Sequence, residues 1–399
     1  MPQEYYSPRS GGAVSTVTME SAAQLIKRGH DVSVVTARDE NELYSVGEVH
    51  PFEMPRREGS SLWRRQLSYR IGRWHGYSWP FYDVFVRRVL RLIAQLKACP
   101  DLFITHNDFV LADILRRTYP QAAIFCWIHN ETCTEYGRLD EALRAPDQFV
   151  AVSDYIRDWM VARYNIPAAK FVVVPSGVDL EAFRPRNGFL GPGGTPKVLF
   201  IGRIDRNKGP DVAADAVAAL QREGLDVQLT VAGGLWFYGN KDPMSDPFFR
   251  MLNDKMKRVG ANYLGHVARS EVPGLIREHD LVCVLSRSNE PFGLVALEAM
   301  ASGCAVIASN RGGLPEACGG AAELVDPDDG ASIVNCMRRL VLDRAYLASC
   351  KRRSLDRAQH APWAMTAAKL ERALAAKGIA DIQGRSHLRP TDNLNLVKS

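Results

Sequence analysis

The sequence predicts an α/β protein made of two Rossmann-like domains. Three observations point there. Short continuous runs of Val, Ile and Phe alternate with helical stretches, the pattern of parallel strands buried on both faces. Glycine-bearing turns follow strands and open helices, as in βαβ units. A Gly/Pro-rich stretch, "RPRNGFLGPGGTP" at 184–196, interrupts the alternation and separates two such series. The expected organisation is an N-terminal domain at 1–184, a linker at 185–196, a C-terminal domain at 197–358, a returning helix at 359–377 and a flexible tail at 378–399. A chain of 399 residues is long enough for two ordinary domains.

Composition narrows the function. Apolar residues make up 46% and charged residues 24%, an ordinary balance for a globular protein. The net charge of +5 does not announce nucleic-acid binding. No apolar run reaches the ~20 residues of a membrane-spanning helix. The first thirty residues lack the pattern of a signal peptide, so a cytoplasmic location is expected. The eight cysteines form no CxxC pair and no zinc-like spacing, and are expected as reduced thiols.

In chain order, residues 1–6 are a short apolar start that serves as a first strand. "SPRSGGAV" then leads into a helix whose stripe is Val14, Val17, Ala22 and Leu25, with Gly29 closing it. "DVSVVTA" is the next strand. The segment 56–97 differs from the rest. It holds ten Lys or Arg against Glu58 and Asp83, interleaved with Trp63, Tyr69, Trp74, Tyr77 and Trp79. Its last part, 82–97, is helical, with Phe85, Val89, Leu92 and Leu96 on one face. The segment reads either as peripheral contact with anionic membrane or an anionic acceptor, or as a solvated basic face.

Strands follow at "DLFITH", "AAIFCWIH", "QFVAVS" and "FVVVPSG", with helices at "DFVLADILRRTYP" and "DYIRDWMVARYN". Ser153 reads as the cap of the second helix. The second series runs "KVLFIG", the loop "RIDRNKG", a helix from Pro210, "VQLTVAGG", a helix at "FFRMLNDKMKRVG", "NYLGHV" and a short helix capped by Ser270. Then comes 281–308, "LVCVLSRSNEPFGLVALEAMASGCAVIA", which is strand, loop, helix, strand. A Gly-Gly loop, "SNRGGLPEACGG", precedes three last helical segments at about 331–342, 344–358 and 363–377.

The chemistry concentrates on 281–308. Glu290 and a Pro-Phe-Gly turn sit at the mouth of a parallel strand where a helix begins. Ligands of open α/β sheets bind at that edge, and a helix N-terminus favours an anion. The amides of Gly293 and Leu294 are natural donors to phosphate or sugar. Glu298 either reaches a neighbouring hydroxyl or simply complements the helix dipole. Arg203 and Lys208 follow the first strand of the second series, where paired cations suit a diphosphate. Gly11 and Gly12 offer backbone N–H groups from the other domain, which is expected across a cleft. His129 ends a strand on the functional edge, and a lone His there is as readily structural as functional.

These motifs are identified as those of a known family. "GRIDRNKGPDVAADAV", "YLGHV", "EPFGLVALEAMASGCAVIAS", "GGLPE" and "LVDPDD" resemble the C-terminal domain of glycosyltransferase family 4. "SPRSGGAV…AQLIKRGHDVSVVT" and "FVVVPSGVDLEAFRP" resemble its N-terminal pieces, and the likeness covers roughly residues 5–375. The start "YSPRSGGAV" is also similar to spore-coat-type members. The resemblance implies the GT-B fold and retaining transfer from a nucleotide-diphosphate sugar, UDP favoured over GDP. The implied acceptor is a glycan, lipid-linked or small molecule, in bacterial cell-surface glycan synthesis, with neither cofactor nor metal. It implies that Arg203 and Lys208 neutralise the diphosphate, that Glu290 contacts the donor sugar and that Glu298 binds the ribose. It further implies that the Val267 backbone meets the base, that Gly12 lies near the phosphates and that His129 lies near the transferred sugar. Ser176 in "PSGVD" departs from the family's more frequent Asn. A sugar-nucleotide 2-epimerase, or a coat-type protein with a retired site, is the alternative.

Overall fold

The computed structural model describes residues 5–8, 12–40, 42–54, 81–131, 138–186, 194–235 and 242–377. The chain divides into two compact units, Met1–Val174 with Thr366–Ser399, and Pro175–Met365.

The first unit holds β1 (Ser33–Ala37) and β2 (Glu48–Phe52), paired in parallel. It also holds a four-stranded parallel sheet of β3 (Leu102–His106), β4 (Ala123–Ile128), β5 (Gln148–Ala151) and β6 (Phe171–Val173), in that order. The expected strand at 1–6 is not seen in its described part. Tyr5–Pro8 is irregular, and the Tyr6 amide donates to the Thr36 hydroxyl at 3.2 Å rather than to a strand backbone. The helix Ala13–Lys27 buries the expected Val14, Val17, Ala22 and Leu25. The helix expected at 82–97 runs only Tyr82–Ile93; it buries Phe85 and Val89, while Leu92 and, beyond its end, Leu96 are half-buried. Asp108 caps Phe109–Thr118 by accepting from the Leu111 amide at 2.8 Å. Ser153 caps Asp154–Tyr164 by accepting from Ile156 at 3.1 Å, as its position after a strand foretold.

The second unit is one six-stranded parallel sheet. Its strands are β7 (Lys197–Ile201), β8 (Gln228–Ala232), β9 (Asn262–Gly265), β10 (Leu281–Val284), β11 (Ala305–Ser309) and β12 (Glu323–Val325). The order across the sheet is β12-β11-β10-β7-β8-β9. The chain therefore builds outward from β7 on one side, returns, and builds outward from β10 on the other. The order reverses between these two central strands. A doubly wound sheet opens its ligand crevice at that reversal, beyond the carboxyl ends of the strands. Val198, Phe200, Val231, Cys283 and Ile307 fill the core with Val217 and Leu220 of the helix Pro210–Arg222. The helix Leu294–Ala301 packs closely because Ala296, Ala299 and Ala301 present almost no side chain.

One detail differs from the sequence reading. Ser270 does not cap the short helix, which runs Val272–Arg277 with Glu271 at its N-cap. A cap at Ser270 would serve the amides of residues 272 and 273, and Pro273 has no N–H to offer. The Glu271 carboxylate accepts from the Ala268 amide at 3.2 Å instead. The two compact units part at Val174/Pro175. Residues 175–184 are bound into the second unit: Val178 bridges Pro362, and Arg277 donates to the carbonyls of Ala182 and Arg184, each at 3.0 Å.

The helix Trp363–Ala376 leaves the second unit at Met365 and enters the first at Thr366. There Glu371 accepts from Arg28 at 2.7 Å and pairs with His30 at 3.0 Å. The expected tail at 378–399 lies outside the described residues, as does the basic-aromatic stretch before residue 81. The seven cysteines among the described residues are free. No helix among the described residues is long and apolar enough to cross a membrane.

Candidate active site

The loops after β7 and β10 meet where the strand order reverses. Asp205 organises the first loop by accepting from the amides of Asn207 (2.8 Å) and Lys208 (3.1 Å), which coils Arg206–Lys208 into a single turn. This aims the Lys208 ammonium at the second loop, where it donates to Glu290 Oε1. Ser286 Oγ donates to the same oxygen at 2.5 Å. Two of the expected site residues, Lys208 and Glu290, are thus brought together across 82 positions of sequence. Arg203 Nε donates to the Asp205 carboxylate, so the second expected cation stays on the first loop.

The backbone around Glu290 is fixed from a third loop. The Gly313 amide donates to the Glu290 carbonyl at 2.6 Å. Gly312 has φ of +61°, and a Cβ placed there would lie 2.3 Å from the Glu290 oxygen. Arg287 forms a fork on buried Asp211, at 2.9 and 2.8 Å, and donates to the Arg206 carbonyl at 2.7 Å. Arg311 in turn donates to the Arg287 carbonyl at 2.6 Å and to Asp328 at 2.6 Å. Planar guanidinium forks hold geometry as well as charge. Ser286, Arg287 and Asp211 carry no signal in the sequence, because their pairing depends on the fold. The Gly-Gly pair at 312–313 was the one available signal.

Gly293, at φ +114°, turns the chain into Leu294–Ala301, and no side chain caps that helix. The first amides of an uncapped helix are left for water or a ligand. Glu298 is 3% exposed within this helix, and its carboxylate accepts from Arg269. The Arg269 guanidinium also lies 5.2 Å from the Phe183 ring centroid. Val267 stands two residues before Arg269, in the loop after β9. Among the expected residues, the second unit therefore carries Arg203, Lys208, Val267, Glu290, Gly293, Leu294 and Glu298 on its carboxyl-edge loops and the helix that follows Glu290.

The first unit carries Gly12 and His129. Gly12 is the N-cap of Ala13–Lys27 in extended conformation, and Gly11 lies outside the described residues. His129 follows β4 and is buried. Its amide donates to Asn107 Oδ1 at 2.6 Å, and its Nε2 lies 2.8 Å from His106 Nδ1. Burial pushes the His106 imidazole down to about 3. Burial, with His106 beside it, holds His129 well below the ordinary imidazole value. His106 was visible in the sequence only as the last residue of "DLFITH". Among the described residues no group of three or more His, Cys, Asp or Glu side chains is arranged to hold a metal ion.

Comparison with known proteins shows the family of the chain. Residues 10–182 match the model of Glycosyltransferase Family 4, and residues 185–357 match that of Glycosyl transferases group 1. The chain is 33% identical over 396 residues to D-inositol 3-phosphate glycosyltransferase of Saccharomonospora viridis, covering 92% of this chain and 89% of that protein. It is 27% identical over 325 residues to Spore coat protein SA of Bacillus subtilis, covering 77% and 78%. Matches to several further proteins named D-inositol 3-phosphate glycosyltransferase span only about half of their length. Sucrose-phosphate synthase from Thermosynechococcus elongatus shares the fold with a TM-score of 0.71 at 21% identity, covering 94% of this chain and 95% of that one. An Anabaena protein, Alr3699/HepE, solved in complex with UDP and glucose, shares it with a TM-score of 0.67 at 18% identity, covering 92% and 96%. With two consecutive family domains and two Rossmann-like sheets of the GT-B type, the chain belongs to the group 1 glycosyltransferases of family 4.

Proposed function

We propose that the protein is a retaining, metal-independent glycosyltransferase that moves a sugar from a UDP-sugar to an acceptor hydroxyl in bacterial cell-surface glycan synthesis. The observation that carries this reading is the Lys208–Glu290–Ser286 cluster at the strand-order reversal. A carboxylate held there can accept hydrogen bonds from sugar hydroxyls. A cation beside it can stabilise charge that develops on a departing diphosphate. Arg203 on the same loop adds a second positive charge, and the uncapped start of Leu294–Ala301 adds backbone dipoles. Buried Glu298 is the ribose partner, with Arg269 fixing its carboxylate. The UDP and glucose held by the Anabaena relative favour UDP over GDP.

In this mechanism the donor's leaving phosphate accepts the proton of the attacking hydroxyl on the same face of the sugar. Lys208 and Arg203 stabilise the phosphate as the glycosidic bond breaks. Glu290 orients the sugar and forms no bond to it. His129 and Gly12 belong to the reading as substrate contacts of the first unit. A coat-type role is the second reading, favoured by the likeness to Spore coat protein SA.

The test is a panel of UDP- and GDP-sugars assayed for hydrolysis and transfer, with and without EDTA. Turnover of a UDP-sugar to an α-configured product from an α-configured donor, unaffected by EDTA, is expected. Epimerisation of a UDP-sugar without acceptor would replace the transferase reading. Absence of nucleotide-sugar binding by calorimetry would favour the coat role.

A further inference from the structure

The protons of the His106–His129 pair can be assigned from its neighbours. The two nitrogens in contact, His106 Nδ1 and His129 Nε2, are 2.8 Å apart, so one donates and the other accepts. His129 is buried and His106 half-buried, and the desolvation each ring suffers keeps both neutral near pH 7. Each neutral ring carries one N–H. Thr18 decides which nitrogen holds it. The single proton of the Thr18 hydroxyl is given to the Val14 carbonyl at 2.7 Å, within Ala13–Lys27. Toward His106 Nε2, 3.5 Å away, Thr18 therefore presents only lone pairs. His106 carries its proton on Nε2 and accepts through Nδ1. His129 must then donate from Nε2, which leaves its Nδ1 bare.

The surroundings keep the His129 ring in place. Trp127 stacks beside it, with centroids 5.3 Å apart and planes at 25°. Asn107, at φ +54°, receives the His129 amide on Oδ1, and its own amide donates to the Trp127 carbonyl at 2.8 Å. Among the described residues His129 Nδ1 makes no hydrogen bond, and Asn107 Nδ2 is a buried donor without a partner. A bare acceptor and an unused buried donor on consecutive strand ends suit a hydroxyl group, which both gives and takes a hydrogen bond.

We propose that His106 is a positioning residue that holds His129 in its Nε2–H tautomer, so that His129 Nδ1 accepts a hydrogen bond from a sugar hydroxyl of the substrate. The recognition half of this statement rests on the glycosyl-transfer reading; the tautomer half does not.

The experiment joins two-bond ¹⁵N–¹H correlation spectra of histidine-labelled full-length protein with steady-state kinetics on His106→Asn and His106→Leu. In the unmodified protein the His129 signals are those of the Nε2–H form. Asn places an amide oxygen where His106 Nδ1 stands, so His106→Asn keeps that tautomer and keeps kcat within about threefold. His106→Leu removes the acceptor; His129 then samples both tautomers and kcat falls by about tenfold to a hundredfold, the usual cost of an orienting partner. Three results overturn the proposal: a proton on His129 Nδ1 in the unmodified protein, unchanged kcat in His106→Leu, or equal damage from Asn and Leu. Should His106→Leu fail to fold, the unmodified spectrum and His106→Asn still decide. An Nε2–H His129 in a protein that turns over no nucleotide sugar overturns the recognition half and the transfer reading together. A reversed tautomer in an active transferase overturns only the proposal.

Discussion

At the scale of single residues, opposite charges pair within the candidate site. Lys208 and Ser286 converge on one oxygen of Glu290 and hold that carboxylate in place. Preorganised groups of this kind contribute most where charge develops in the transition state. Glu290→Gln keeps the size and hydrogen-bonding reach of the side chain but loses its charge and its pairing with Lys208. It should lower kcat by about 10²–10³-fold with little change in melting temperature. Mass spectrometry should find no glycosyl adduct on the variant; an adduct, or full activity, would contradict a positioning role. Gly312 makes a separate prediction. A methyl group there meets the Glu290 backbone at 2.3 Å, in a left-handed conformation that Ala disfavours. Gly312→Ala should cost about 2 kcal/mol or more, read as a lower melting temperature, and should depress kcat because it displaces the loop that carries Glu290.

At the scale of elements, the caps show what local sequence encodes. Ser153 follows a strand and precedes a helix, and it does accept from the Ile156 amide. Ser153→Ala should destabilise the first unit by about 1 kcal/mol, with activity at 25 °C unaffected; chemical denaturation monitored by circular dichroism checks it. Ser270 had the same local pattern yet does not cap the helix, which has Glu271 at its N-cap, and Pro273 removes one of the two amides that a cap at Ser270 would serve. Strands with continuous apolar runs, such as "KVLFI" and "AIFCWI", were legible for the same local reason. β2, "EVHPF", was not, since His50 and Pro51 break any apolar run and the strand exists through its pairing with β1. The helix Leu314–Cys318 was also hidden, inside a stretch whose glycines read as loop. The site shows the same division. Glu290 and Lys208 stood out because each follows an apolar strand, whereas Ser286, Arg269, Asp211 and His106 acquire meaning only from partners 4 to 88 positions away.

At the scale of the whole molecule, the two units, each built on parallel strands, differ in their response to acid. In the first unit, His106 and His129 are held neutral, with His106 down at about 3 against an ordinary 6.5. Below pH 6.5 the unfolded chain binds protons at these positions that the folded unit refuses. Stability therefore rises with pH across this window and is lost as pH falls toward 3. Asp108 acts in the opposite sense, because burial raises its carboxyl and the folded unit binds that proton more readily than the unfolded chain. Two imidazoles outweigh one carboxyl between pH 6.5 and 4. In the second unit His279, also lowered by burial, is the corresponding group, and Asp280 is lowered by Lys351 despite its burial, so it matters only below the ordinary carboxylate range. The first unit should thus lose stability earlier on acidification, by about 2 kcal/mol between pH 6.5 and 4.5. Hydrogen exchange read by mass spectrometry across that range should show β3 and β4 opening before β7 and β10. His106→Asn, which removes one of the two imidazoles, should narrow the gap between the units. If β7 and β10 open first, or if His106→Asn leaves the acid response unchanged, the His106–His129 pair does not set the acid limit of the first unit.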